Sequence, residues 1–172
     1  MKPTTTLDFR SQRQLTALFA LLFFLYAIPL QAETVFHTTP ILDLSVPLTQ
    51  TGSGGFELRA ELGGVAGDFL LDTGASMVTI NRDLFREIQK LNKLEKVRSV
   101  GARLASGKVK LLDVYRAERL IIGKGCNLGA VEFAVVERGG RNLLGMNALS
   151  QAAPFTISMS PPKLDLAQCL QS

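Results

Sequence analysis

A chain of 172 residues, 47% hydrophobic and 20% charged, has the length of one domain and too apolar a composition for a disordered protein. Of its formal charge of +4, Lys2, Arg10 and Arg13 against Asp8 supply +2, leaving +2 for residues 33–172. The Lys and Arg residues of that part are scattered, with no basic stripe and no interleaved aromatics, which argues against nucleic-acid binding.

The front of the chain reads as a targeting segment. Arg10 and Arg13 precede the uncharged run from Leu15 to Leu30, Pro29 breaks the helix, and Ala32 offers a small residue for cleavage. As a helix the run spans roughly 24 Å, short of the ~30 Å hydrocarbon core of a bilayer, which favours a cleaved signal peptide over residues 1–32. Left uncleaved, the segment is a signal anchor and the chain keeps a membrane attachment. Either way the remainder is expected outside the cytoplasm.

Residues 33–55 read as a linker and a first strand. Ile41 to Val46 alternates apolar and polar residues, and Thr51-Gly52-Ser53-Gly54-Gly55 is a loop. That loop lacks the Lys-Ser/Thr and following helix of a phosphate loop, so it implies no nucleotide. From Phe56 to Leu62 the alternation resumes, and Gly63-Gly64-Val65-Ala66-Gly67 turns the chain into an apolar strand, Phe69-Leu70-Leu71. This strand delivers Asp72 onto a turn of small residues, Thr73-Gly74-Ala75-Ser76. A carboxylate at the end of a core strand is costly to bury without a partner. Either it does chemistry there, or it caps the turn by bonding its own backbone two residues on.

Met77 to Ile80 is a further short strand. Asn81 then reads as the N-cap of a helix over Arg82 to Leu91, with Asp83 in the first turn and Ile80 and Phe85 placed as a hydrophobic staple. Leu84, Phe85, Ile88 and Leu91 share its apolar face. A hairpin follows: Val97 to Leu104, a turn at Ala105-Ser106-Gly107-Lys108, and Val109 to Val114. Leu120 to Ile122 and Val131 to Val136 continue as strands around a glycine-rich loop that holds Cys126. Gly139-Gly140-Arg141-Asn142 turns into Leu143-Leu144-Gly145-Met146-Asn147, and Met146 to Gln151 is a short helix before Pro154. Phe155 to Met159 and Lys163 to Leu166 form a last hairpin around Ser160-Pro161-Pro162, since proline fits the turn and not a strand interior. Many short strands, one main helix and glycine-rich turns give an all-β domain, closed or sandwiched.

The exported part holds two cysteines, Cys126 and Cys169. An oxidising compartment permits them to pair, and two free thiols is the other reading. His37, the single histidine, stands alone in a polar segment, so no His/Cys cluster is available for a metal.

Two stretches in this order, Phe69-Leu70-Leu71-Asp72-Thr73-Gly74-Ala75-Ser76 and then Leu143-Leu144-Gly145-Met146-Asn147, resemble the retropepsin-type aspartic peptidases, the one-domain relatives of pepsin. The resemblance covers roughly residues 56 to 167 and places the peptidase domain at 56–172. It implies a closed, barrel-like all-β fold, no cofactor, and hydrolysis of peptide bonds in a peptide or protein substrate. Asp72 matches the catalytic aspartate, and the Thr73 position supplies a hydroxyl that bonds across a pair of active-site loops. Gly74 stands where substrate backbone passes close, and Ala75 and Ser76 complete the loop. Leu143, Leu144 and Gly145 match the segment that threads behind that loop, and Ser106 and Gly107 fall where a flap tip belongs. The family's chemistry needs two carboxylates, and this chain has one Asp-Thr-Gly, so the resemblance implies a homodimer with a twofold axis between two copies of Asp72. Ile41–Val46 and Phe155–Met159 are the strands expected in the dimer sheet. The family includes exported or membrane-anchored bacterial members, and with the front segment the resemblance implies a location in the periplasm or at the outer face of the inner membrane. Two other readings stay open: a non-catalytic peptide-binding or dimerisation module with the same fold, and an exported β-domain in which Asp72 only caps a turn.

Overall fold

A computed structural model of the chain describes residues 44–103, 107–136 and 139–169. The targeting segment 1–32, His37, residues 41–43 of the first expected strand, and Ser106 lie outside the described residues. None of the described helices is long and apolar enough to cross a membrane.

The hairpin that carries the acid is built from β3 (Phe56–Leu62) and β4 (Val65–Leu71), paired from Glu57 opposite Leu70 to Leu62 opposite Val65. Its turn is shorter than the glycine-rich sequence predicts. Gly63 and Gly64 both adopt positive φ, +56° and +86°, which closes a two-residue turn and frees Val65 to Gly67 to join the strand.

Beyond β4 come β5 (Val78–Ile80) and α1 (Arg82–Leu91). The Asn81 side chain caps α1, accepting hydrogen bonds from the Asp83 and Leu84 N–H groups at 3.1 and 2.9 Å. Leu84, Phe85 and Ile88 are buried, while Leu91 is 66% exposed and does not join them. The apolar stripe thus ends one turn before the helix does. Asn92 closes the helix and fastens it to the hairpin, its side-chain amide donating to the Gly63 carbonyl at 2.6 Å.

The chain then forms β6 (Lys96–Arg103) and β7 (Val109–Ala117), an antiparallel hairpin with a bulge near Lys96. After it come β8 (Leu120–Ile122), β9 (Cys126–Asn127), β10 (Val131–Val135) and β11 (Leu143–Leu144). The loop expected around Cys126 contains a strand, because the glycines at 123 and 125 reverse the chain tightly enough for β9 to pair with β8. With β2 (Thr49–Gln50) on β3, these strands form a ten-stranded sheet in the order β6-β7-β10-β5-β11-β4-β3-β8-β9. A second sheet has the order β1-β13-β12, where β1 is Leu44–Pro47, β12 Phe155–Met159 and β13 Pro162–Leu166. Pro162, expected in the turn, opens β13, a first-residue position that proline tolerates. Along the chain between β11 and β12, α2 (Met146–Leu149) runs into a single 3₁₀ turn, Ser150–Ala152.

Residues of both sheets share the main core, and Leu112, Val114 and Ala134 form a second, smaller cluster. Phe69, Phe133, Ile80, Ile88, Leu144, Leu149 and Leu164 are fully enclosed, and rings of Phe85, Tyr115 and Phe133 meet at centroid distances of 4.6 to 6.4 Å. Cys126 and Cys169 are bonded and fasten the chain end to β9. A closed loop of this length contributes about 4 kcal/mol in the chain-entropy account of cross-links.

Candidate active site

β4 reaches the surface from a fully buried Phe69, so its last residues carry Asp72 from the core to the edge of a cleft. Asp72 is half-buried. Its N–H donates to the Leu144 carbonyl at 3.1 Å and its own carbonyl accepts from Ala75 N–H at 3.2 Å, which fixes the turn at both ends. One carboxylate oxygen, Oδ1, accepts from Gly74 N–H at 2.9 Å. This is the two-residues-on bond of a turn-capping Asp, so that reading of the sequence describes half of the carboxyl. The other oxygen accepts no hydrogen bond from the described residues, and Asp72 is one of the residues that line the cleft. A Cβ at position 74 would lie 3.2 Å from Oδ1, a tight contact that the carboxylate would have to ease by a few tenths of an ångström.

The loop is held from behind by β11. Leu143 and Leu144 run parallel to β4, opposite Leu70 and Leu71, and Leu143 also pairs with Thr79 of β5. Met146 N–H then donates to the Ala75 carbonyl at 2.8 Å and Asn147 N–H to the Ser76 carbonyl at 3.1 Å. Gly145 passes so close that a Cβ there would sit 2.4 Å from the Met77 carbonyl oxygen. The structure therefore brings Asp72, Gly74, Ala75, Ser76, Leu143, Leu144 and Gly145 into one assembly.

Two asparagines secure this assembly. The Asn142 carbonyl accepts from Leu70 N–H at 2.9 Å, its Oδ1 accepts from Asn81 N–H at 3.0 Å, and its Nδ2 donates to the Asp68 carbonyl at 3.1 Å. Asn147 does the same on the other side, accepting from Val78 N–H at 2.7 Å and donating to the Glu132 carbonyl at 2.8 Å. Sequence reasoning assigns neither role: Asn142 reads as a turn residue and Asn147 as the end of a motif. The signal present was an asparagine on each side of a buried Leu-Leu-Gly run, where a polar side chain needs partners.

The cleft has a volume of about 650 Å³. Asp72 and Gly74 to Met77 form one side, and Val100 to Arg103 of β6 form the other, with Leu112 and Ala134 between. Gly107, at the end of the β6–β7 hairpin, is exposed with φ +80° and is not part of this wall. Thr73 is exposed, and its hydroxyl has no hydrogen bond among the described residues. On the hairpin, Asp113 accepts from Lys96 at 2.6 Å and from Ser99 at 2.9 Å, and these two bonds hold its carboxyl below the usual carboxylate range.

A family model described as "gag-polyprotein putative aspartyl protease" matches residues 58–151, a span that runs from β3 through the Asp72 loop and β11 to the turn after α2. Among solved structures, the chain is similar to a retropepsin-like aspartic protease from Rickettsia conorii, with 22% identity and a TM-score of 0.57 over 74% of this chain and 94% of that one. At that identity the likeness shows a shared fold. No curated protein matches the chain. The hairpin-borne Asp-Thr-Gly, the strand threaded behind it and the matched span agree, and the chain belongs to the retropepsin-like aspartic protease family.

Proposed function

We propose that the protein is an exported aspartic endopeptidase that works as a homodimer and hydrolyses peptide bonds between two copies of Asp72. The observation that carries this reading is a half-used carboxylate: one oxygen of Asp72 is tied to Gly74, the other is unpartnered, and Asp72 is the single acid among the described residues of its cleft. Two close carboxylates do not both ionise readily, so a twofold pair shares a proton. The ionised member takes a proton from a water, which attacks the peptide carbonyl. The protonated member donates to the carbonyl oxygen to give a tetrahedral diol. The first carboxyl then passes its new proton to the nitrogen as the C–N bond breaks. A diol hydroxyl returns a proton to the other carboxylate, leaving a carboxylic acid, an amine and a pair that again shares one proton. The exposed Thr73 hydroxyl is free to bond across the twofold axis. Of the strands expected in a dimer sheet, the described part of the first lies in β1 and the second is β12, and among the described residues both are edges of the three-stranded sheet. In this reading residues 1–32 direct export to the periplasm or hold the domain at the outer face of the inner membrane.

A dilution series tests the shared site. Well below the dimer dissociation constant the peptidase rate is expected to fall as the square of protein concentration, and above it in proportion. A rate strictly proportional to concentration where the protein sediments as a monomer contradicts the dimeric site.

A further inference from the structure

We propose, building on the peptidase reading above, that the groove selects peptides carrying acidic side chains beside the scissile bond, and that Arg82, Arg103 and Arg141 are the residues that recognise them. The cleft that holds Asp72 continues into a second cavity of about 660 Å³, the two sharing Thr79, Leu112, Val136 and Leu143 as common wall. Arg103 lines the first cavity, and Arg82 and Arg141 line the second. All three are exposed, and none has a carboxylate within ion-pair distance among the described residues. Of the other five Lys or Arg residues of the same hairpin, three have ion-pair partners, Lys96 with Asp113, Arg98 with Glu132 and Arg116 with Glu118, and Lys110 lines the second cavity beside Arg82 and Arg141. Asp113, the one acid among the described residues of the second cavity, is hydrogen-bonded to Lys96 and Ser99; Arg82 acts on it through space but forms no ion pair with it.

Two of the arginines are also positioned. Arg82 lies over the Phe85 ring, 6.0 Å from its centroid, and Arg141 reaches Ser53 Oγ at 3.5 Å. A guanidinium so placed presents a planar fork of donors that a carboxylate fits with two hydrogen bonds. The wider field points the same way. The stretch 96–117, which holds β6 and β7, contains six Lys or Arg residues and one Asp, and with the two partners Glu118 and Glu132 counted against it the net charge is +3. Such a stretch raises the local concentration of an anionic ligand and speeds its arrival. A peptide in extended form projects successive side chains to opposite sides, so separate carboxylates along it meet separate arginines in adjoining cavities. A nucleic acid suits the site less well: its continuous phosphate charge would run directly past Asp72, and Tyr115, the aromatic ring in the cavity wall, is packed against Phe85 and Phe133.

The test is digestion of a proteome-derived peptide library by the purified full chain, with cleaved bonds identified by mass spectrometry. Asp and Glu are expected to be enriched within about three residues of the cleaved bonds. Replacing one such Glu by Gln in a cleaved peptide is expected to lower kcat/KM about tenfold, mainly through KM, with the difference shrinking in ~1 M salt. An Arg82→Ala/Arg141→Ala protein, folded by circular dichroism, is expected to lose the discrimination between the Glu and Gln peptides. Cleavage without acidic enrichment, or equal rates on Glu and Gln peptides with the unmodified protein, overturns the inference and leaves the peptidase reading standing. Competition by single-stranded DNA together with equal Glu and Gln rates overturns it in favour of a nucleic-acid ligand. A library left wholly intact overturns the peptidase reading itself.

Discussion

Asp72→Asn is expected to lower peptide hydrolysis by about 10³-fold or more while leaving the fold in place. The amide oxygen of Asn can still accept from Gly74 N–H, as Asp72 Oδ1 does at 2.9 Å, so the turn keeps its internal bond. An amide neither takes a proton from water nor donates one as a carboxylic acid does, so the acid–base pair is lost in both roles. Stability should change by less than about 1 kcal/mol, because the side chain is half-buried and its second oxygen has no partner in the described structure to lose. Hydrolysis of a fluorogenic peptide and thermal unfolding by circular dichroism, measured on the same preparation, separate the two effects. Unchanged hydrolysis would return Asp72 to the role of a turn cap.

Gly145→Ala is expected to cost about 3 kcal/mol or more and to abolish activity with it. The added methyl would stand 2.4 Å from the Met77 oxygen, 2.5 Å from its carbonyl carbon and 2.9 Å from the Ala75 oxygen. All three are backbone atoms, so no side chain can swing aside to make room. Relief requires β11 to withdraw from the active-site loop. Withdrawal breaks the bonds from Met146 to Ala75 and from Asp72 to Leu144, and opens space beside the fully buried Leu144. Urea unfolding followed by fluorescence of an added dye or by circular dichroism would show the midpoint shift. A variant that unfolds with the parent would mean that β11 does not brace the loop.

The parts of this site that could be read from the sequence are those whose chemistry is local. Asp72 follows a continuous apolar strand and sits among small residues, and Leu143-Leu144-Gly145 is a contiguous run, so both stand out along the chain. Asn81 likewise announces its helix, because a cap and the N–H groups it serves are neighbours in sequence. What stayed hidden depends on distant pairings. Asn142 meets Asn81 and Asn147 meets Val78 only after β11 has slid between β4 and β5, and nothing near either residue declares those partners. The cleft wall is a similar case. A glycine-containing turn marks the end of a hairpin, but it does not tell that Val100 to Arg103, along the strand, line the groove. Leu91 fits the helical spacing and is nevertheless exposed, since periodicity states which face is apolar and not where the sheet beneath it stops. The three arginines are scattered along the sequence and converge only through the fold.

The central claim, that one catalytic centre is built from two copies of Asp72, is tested most directly by mixing. Parent and Asp72→Asn chains, unfolded and refolded together at fixed total concentration, distribute into pairs at random. If each centre needs both carboxylates, activity follows the square of the parent fraction, so an equal mixture retains about one quarter of full activity. Activity that falls in simple proportion, retaining half at equal mixing, would show that each chain carries a complete site and would contradict the account.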